Sequence, residues 1–414
     1  MSDPSNPSTT HAHSSPQARD ASPAAQHRAL PAARRQRARV ATMALFFIAG
    51  MMYASWGVHV PTVRDKFHLS AALLSYALFA VAGGSIAAMT LIGGWIARVG
   101  SRRACLAGGL TMSVCGALIL AVPYYWMLLA VLAAFGVGMA TLDVAMNAEA
   151  SAVEEAVGKP IMSGLHGMFS LGGMAGAAIG GALLARGMAP AVHLLLASAL
   201  AALVLVLSCP AVLPHVPHAT HGEHAKTGNR WRTPALWALG AVALIALIAE
   251  GAMYDWATVY MRDVVLSTPA LASAAYAAFS GGMAVARFAG DAVRARFGAP
   301  QLVLASASLA CAGMIGALLL PYSFTALTGF TLMGLGLANM MPVLFAAAAR
   351  VKGIHAAEGL AHVAGIAYFG LLFGPVVIGG ITQVTNLTVG LAVVALCAAL
   401  VAVAGPKVLR RLGI

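Results

Sequence analysis

Charge is what this chain has least of. Only 9% of its 414 residues are Asp, Glu, Lys or Arg, against roughly 25% in ordinary soluble domains. Together with a hydrophobic content of 60% and a mean hydropathy of +0.84, that shortage excludes a soluble globular fold. Cysteine is scarce as well. Cys105, Cys115, Cys209, Cys311 and Cys397 fall inside or at the edge of apolar runs, where a thiol behaves as a small hydrophobe and no disulfide framework is implied. No His-Glu-x-x-His, no Gly-x-Ser-x-Gly and no phosphate-binding Gly-rich loop with Lys is present, so neither an enzyme such as a membrane hydrolase nor an ATP-driven pump finds support, and no cofactor is expected. The net charge of +12 does not indicate nucleic acid, because the basic residues sit between apolar runs instead of alternating with aromatics on one exposed surface.

What is present is a series of apolar runs, each near the roughly 20 residues that cross a bilayer as helix. Residues 1–40, rich in Ser, Pro, Ala, His and Arg, have no apolar period and are expected to be a disordered tail ending in Arg34, Arg35, Arg37 and Arg39. The next run, about 41–63, is too long for the core of a signal peptide and reads as a first span that is retained. Further spans are expected near 71–97, 104–122, 124–151, 160–186 and 189–210. After a polar linker, 211–232, come six more near 234–261, 270–292, 300–320, 322–349, 357–382 and 387–407. The expected fold is thus an all-α integral membrane protein of twelve transmembrane helices, six in 41–210 and six in 233–414. In the linker, His215, His218, His221 and His224 recur every third residue beside Pro214 and Pro217. A polyproline-type segment would align them as a metal site wants, but a solvated low-complexity linker is the better reading, and no metal is expected.

Basic residues orient such a bundle, since Lys and Arg collect on the cytoplasmic side. With both termini inside, 21 of the 25 basic residues fall on that side, and only Arg64, Lys66, Arg186 and Arg262 fall outside. The two sets of six spans also read as copies about 200 residues apart, the mark of an internally repeated transporter fold. Met52-Tyr53 and Trp56 answer to Met253-Tyr254 and Trp256, Tyr76 and Phe79 to Tyr276 and Phe279, Gly100 to Gly298, Gly136 and Gly138 to Gly334 and Gly336, and Gly180-Gly181 to Gly379-Gly380.

Ionisable groups inside the apolar runs need a reason, because a charge at the centre of a span costs roughly 2.5 to 3.5 kcal/mol on insertion scales. Asp143 and Asn147 are four apart and share a helix face, flanked by Gly136, Gly138 and Ala140, which admit a close neighbour. The run breaks at Glu154, Glu155 and Lys159 and resumes with His166 and Ser170. By helix rise, Asp143 and His166 lie at comparable depths, roughly 9 to 14 Å from the same end. Antiparallel neighbours could therefore bring them together, with Asp143 as a proton-coupling carboxylate and His166 tuning it. Glu250 is the other acid well inside a span, whereas Asp255 is expected close enough to the boundary to be solvated.

From about residue 40 onward the chain resembles the major facilitator superfamily. The resemblance rests on the loop after the second span, Gly93-Gly94-Trp95-Ile96-Ala97-Arg98-Val99-Gly100-Ser101-Arg102-Arg103, and on its second copy, Gly290-Asp291-Ala292-Val293-Arg294-Ala295-Arg296-Phe297-Gly298. Ala97 and Ala295 stand where the family usually has Asp. The resemblance implies two pseudo-symmetric six-helix bundles and a charged latch at the cytoplasmic face, made by Gly93, Arg98, Gly100, Arg102, Arg103, Asp291 and Arg296. Leu142-Asp143-Val144-Ala145-Met146-Asn147 is similar to the acid, three residues, then Asn of fucose-permease-like sugar:proton symporters. Those also carry an acid in the first span, where this chain has Trp56, Gly57 and His59.

By the same resemblance spans one, four, seven and ten line a central cavity, which implies Tyr53, Trp56, Asn147, Tyr254, Trp256 and Asn339 as substrate-binding residues, with Asp143, His166 and Glu250 handling protons. The expected function is transport of a small polar solute, sugar or polyol among the options, by proton symport. The expected setting is the plasma membrane, the inner membrane in a Gram-negative cell, with both termini cytoplasmic and the protein a monomer partnered by substrate, protons and lipid. Two alternatives are export of a hydrophobic compound by proton antiport and a membrane sensor that does not transport.

Overall fold

A computed structural model describes residues 27–214 and 230–413. The first 26 residues, the linker histidines His215, His218, His221 and His224, and the side chain of Asp291 lie outside the described residues. The first half consists of α1 (Ala32–Val58), α2 (Val60–Phe67), α3 (Ala71–Val99), α4 (Ser101–Leu118), α5 (Tyr125–Val157), α6 (Met162–Ala185) and α7 (Pro190–Ser208). The second consists of α8 (Pro234–Asp263), α9 (Pro269–Arg296), α10 (Ala299–Leu319), α11 (Ser323–Leu337), α12 (Met340–Ala348), α13 (Ala356–Val384) and α14 (Leu387–Arg411). With α1–α2 and α11–α12 each taken as one span, 11 segments of the described residues are long and apolar enough to cross a membrane. The twelfth, α4, has only 18 residues and opens with Ser101-Arg102-Arg103, which lowers its hydropathy, yet it packs along α5 and α7 like the others.

The two halves use one packing scheme twice. In the first, α1 lies on α6 and α7, α3 on α5, and α4 on α5 and α7; in the second, α8 lies on α13 and α14, α9 on α11, and α10 on α11 and α14. The halves meet through a pairing that is also duplicated, α6 against α9 and α13 against α3. Because lipid tails are as apolar as the side chains, close approach of backbones takes over from hydrophobic burial as the cement. A Cβ on Gly136 of α5 would strike the Val81 carbonyl of α3, and one on Gly334 of α11 would strike the Phe279 carbonyl of α9.

These equivalences set the repeat at 198 residues in this region, from 81 to 279 and from 136 to 334. Helix starts agree: Ser70 caps α3 by accepting from the Leu73 N–H at 3.3 Å, and Thr268 caps α9 by accepting from the Leu271 N–H at 3.3 Å. Val81, not Phe79, is therefore the counterpart of Phe279. The expected match of Tyr76 to Tyr276 fails on the same ground, for Tyr76 is 54% exposed and Tyr276 1%.

Two boundaries differ from expectation. Helix α1 begins at Ala32, within the expected tail, because guanidinium groups there satisfy carbonyls at helix ends that would otherwise lack partners. Arg35 Nη1 donates to the Ala156 carbonyl at 2.8 Å, and Arg34 Nη2 to that of Val212 at 3.3 Å. The buried Glu149 carboxylate accepts from the Leu213 N–H at 2.8 Å and holds the start of the linker. The second difference is that spans one and ten are broken, at His59 and at Ala338–Asn339.

Candidate transport site

Helix α5 brings Asp143 and Asn147 to one face, as their spacing requires. Asn147 Nδ2 donates to Asp143 Oδ1 at 3.1 Å and to the Asp143 carbonyl at 2.9 Å. In the other half, Glu250 of α8 pairs with Arg287 of α9, Nη2 to Oε1 at 3.4 Å, each side chain 13% exposed. Arg287 also reaches across to the first half: Nη1 donates to Ser170 Oγ at 2.6 Å and to the His166 carbonyl at 3.5 Å, both on α6. The bond is returned, since Ser163 Oγ on α6 donates to the Arg287 carbonyl at 2.7 Å.

His166 does not meet Asp143. Helix α6 packs against α1 and α9 and scarcely touches α5, so the imidazole stands edge-on to Phe46 of α1, centroids 5.3 Å apart, while the His166 carbonyl accepts from Arg287. Tyr53 and Tyr254 do come together across the halves, rings 5.7 Å apart and near perpendicular. Tyr254 continues the stack onto Tyr276 and Phe279 and donates its hydroxyl to Met283 Sδ at 3.2 Å. Trp56 and Trp256, expected to line the cavity, are each 1% exposed and belong to the core. Trp256 borders a crevice of about 300 Å³ shared with Arg64 and Asp263, at the end remote from the termini. Asn339 is buried at the break in span ten, with Nδ2 3.5 Å from the Ala286 carbonyl, and ties that break to α9. Asp255, expected near solvent, is buried, and it makes no hydrogen bond or ion pair with any described residue.

The loop arginines behave unlike the expected latch. Gly100, at φ 83°, turns the chain from α3 into α4 as required, and Gly93 faces open space. Arg98, Arg102, Arg103 and Arg296 are exposed and make no hydrogen bond or ion pair with any described residue. Ion pairs between the halves are found at the opposite end instead, where Arg64 Nη2 donates to Asp263 Oδ1 at 2.9 Å and Arg262 Nη2 to Asp65 Oδ2 at 3.5 Å.

Arg287 is the residue that reading the sequence missed, since the positive-inside count treats it as a loop cation. Its position carries a signal nonetheless. It lies nine residues before the end of α9 at Arg296, about 13 Å along a helix, and a cation at that depth calls for an acid such as Glu250.

Two bundles that repeat one packing scheme, joined midway by a charged cluster, define a membrane transporter. The chain belongs to the Major Facilitator Superfamily, whose profile matches residues 6–153 and 41–351. It is similar to an uncharacterized MFS-type transporter of Yersinia pestis, 32% identical over 379 residues, which covers 90% of this chain and 96% of the relative. It is also similar to the membrane protein MosC of Rhizobium meliloti, 31% identical over 343 residues and 83% of each chain. Among solved structures, the nucleoside transporter NupG superposes with a TM-score of 0.71 at 10% identity, covering 89% of this chain and 99% of that one. FucP in the outward conformation gives 0.61 at 16%, covering 89% and 98%.

Proposed function

We propose that this transporter moves a small polar solute, with a sugar or polyol as the leading class, by alternating access coupled to proton symport. In this reading both termini face the cytoplasm of a plasma membrane and the monomer suffices. The supporting observation is the unequal partnering of the two central acids. Glu250 has Arg287 as counter-charge, whereas Asp143 has, among the described residues, only the Asn147 amide. A carboxylate without a cation inside a span is costly unless a proton neutralises it. Asp143 is then the proton site, and Asn147 keeps it aimed in either protonation state. The Glu250–Arg287 pair has another task, since Arg287 also holds Ser170 and the His166 carbonyl across the halves. His166 acts on that pair instead of on Asp143.

A thermal-shift screen of the purified protein against sugars, polyols, organic acids and drugs identifies the solute, since a ligand at 100 times its Kd adds about 2.7 kcal/mol. With that solute in proteoliposomes, Asp143→Asn is expected to retain exchange and to lose accumulation driven by a pH gradient. Uphill accumulation by Asp143→Asn would overturn the assignment and pass the proton to Glu250 or Asp255. Stabilisation by hydrophobic drugs alone would overturn the polar solute.

A further inference from the structure

The ends of spans one and seven carry the same turn, 198 residues apart. The first reads Arg64-Asp65-Lys66-Phe67-His68-Leu69-Ser70 and the second Arg262-Asp263-Val264-Val265-Leu266-Ser267-Thr268. Both bend at a residue that is not glycine and has positive φ, His68 at 51° and Leu266 at 57°, and they are the only such residues among the described ones. Each turn then enters its next helix through the hydroxyl cap already described. A bulky residue in the left-handed region is strained and persists only where its surroundings demand it. Here both bends occupy the same place in the repeat.

The pseudo-twofold axis puts the two Arg-Asp dipeptides face to face. Arg64 grips both oxygens of Asp263, Nη2 to Oδ1 at 2.9 Å, while Arg262 reaches Asp65 Oδ2 at 3.5 Å. Arg64 also donates to Asp65 Oδ1 at 3.1 Å, so the four charges alternate in sign as a square with three sides made, Asp263–Arg64, Arg64–Asp65 and Asp65–Arg262, and the Arg262–Asp263 side open. This is the self-complementary contact of a twofold interface, here within one chain. Lys66 stands apart from it, because its Nζ caps the Leu120 and Val122 carbonyls at 2.7 and 2.8 Å inside its own half. Its counterpart in the second copy is Val264, so the repeat shares the Arg-Asp and not the lysine.

We propose that this duplicated Arg-Asp square is the gate that closes the transporter at the end remote from the termini, and that it must open for the cavity to face that side. The side chains of Arg64, Asp65, Arg262 and Asp263 keep 22%, 50%, 27% and 34% of their exposure. Water can therefore take over each charge as the square parts, and no buried ion is stranded. The same exposure makes the gate weak enough to cycle.

The test rests on alternating access but needs neither substrate nor proton gradient, so its failure is separate from failure of the Asp143 assignment. Spin labels at Ala121→Cys and Pro321→Cys, exposed in the turns flanking the square, report the separation of the halves once the five native cysteines are replaced. Asp263→Asn is expected to raise the ratio of long to short distances up to about fivefold. Arg64→Asp, which sets like charges against each other, should raise it about tenfold or more. The swap Arg64→Asp with Asp263→Arg restores complementary charges across the axis and should return the short distance, while Lys66→Met should leave the ratio unchanged. An unchanged distribution in Arg64→Asp overturns the gate, as does a folded, monodisperse swap variant that stays open. If Arg64→Asp does not fold, Asp263→Asn and the swap decide.

Discussion

The two ends of the bundle hold the halves together by different means. Away from the termini the contact is charged at its rim and tightly packed beneath. Below the square, Thr258 Oγ1 of α8 donates to the Gly57 carbonyl of α1 at 3.1 Å. A Cβ on Gly181 would collide with Ser273, and one on Gly379 with Ser75, so that α6–α9 and α13–α3 close in the same manner. Toward the termini, α6 and α9 still touch as far as Ser163 and the Arg287 carbonyl, but Gly93 on α3 and Gly365 on α13 have nothing within 4 Å of an added Cβ. Arg98, Arg102, Arg103 and Arg296 lie there without a hydrogen bond or ion pair to any described residue. The difference indicates that charge alone does not make a latch: opposite charges must be brought face to face, as the far end does among the described residues.

The largest effect is expected where the two ends are joined. Arg287→Ala leaves Glu250 in a span without its counter-charge and also removes the donor to Ser170, which should cost about 3 to 5 kcal/mol. Chemical denaturation in detergent measures it, and recovery by the double variant Glu250→Gln, Arg287→Gln distinguishes stranded charge from lost packing. A smaller effect separates the ends directly. Gly181→Ala and Gly379→Ala overpack the closed end at about 1 to 3 kcal/mol each, whereas Gly93→Ala and Gly365→Ala should be neutral or slightly stabilising, since alanine is the better helix former. Equal costs at the four positions would erase the contrast. Next, Thr258→Val removes one buried hydrogen bond between the halves, worth about 1 kcal/mol, and should show as faster hydrogen exchange at the ends of α1 and α8. The smallest change is expected from Arg98→Ala with Arg102→Ala, within about 0.5 kcal/mol for stability in this conformation, since exposed residues without partners contribute little. A large loss there would mean that these arginines do hold the halves together, as the family resemblance implies.

Much of the fold was legible because bilayer thickness imposes a length on every apolar run and lipid imposes helix on every backbone. Twelve runs, two copies and a central linker follow from those constraints. Boundaries drifted where polar groups find protein partners instead of water, as Arg34 and Arg35 do at helix ends. The site was legible in part. Asp143 and Asn147 share one helix, and a spacing of four suffices to predict their contact. Asp143 and His166 lie on different helices, and depth along the membrane does not say which way a helix turns its face.

The sequence by itself determined the class of structure, the number of spans and the existence of two copies, because periodicity, run length and repetition are properties of a single chain in a given solvent. Only the tertiary structure decided the register of those copies, which Gly136 and Gly334 set through the carbonyls they admit. It alone turned Arg287 from a topology signal into the ion partner of Glu250, and two distant Arg-Asp dipeptides into one square. Those outcomes depend on how helices rotate and pack against one another. That is a balance of close backbone approach and paired charge among residues far apart in the chain.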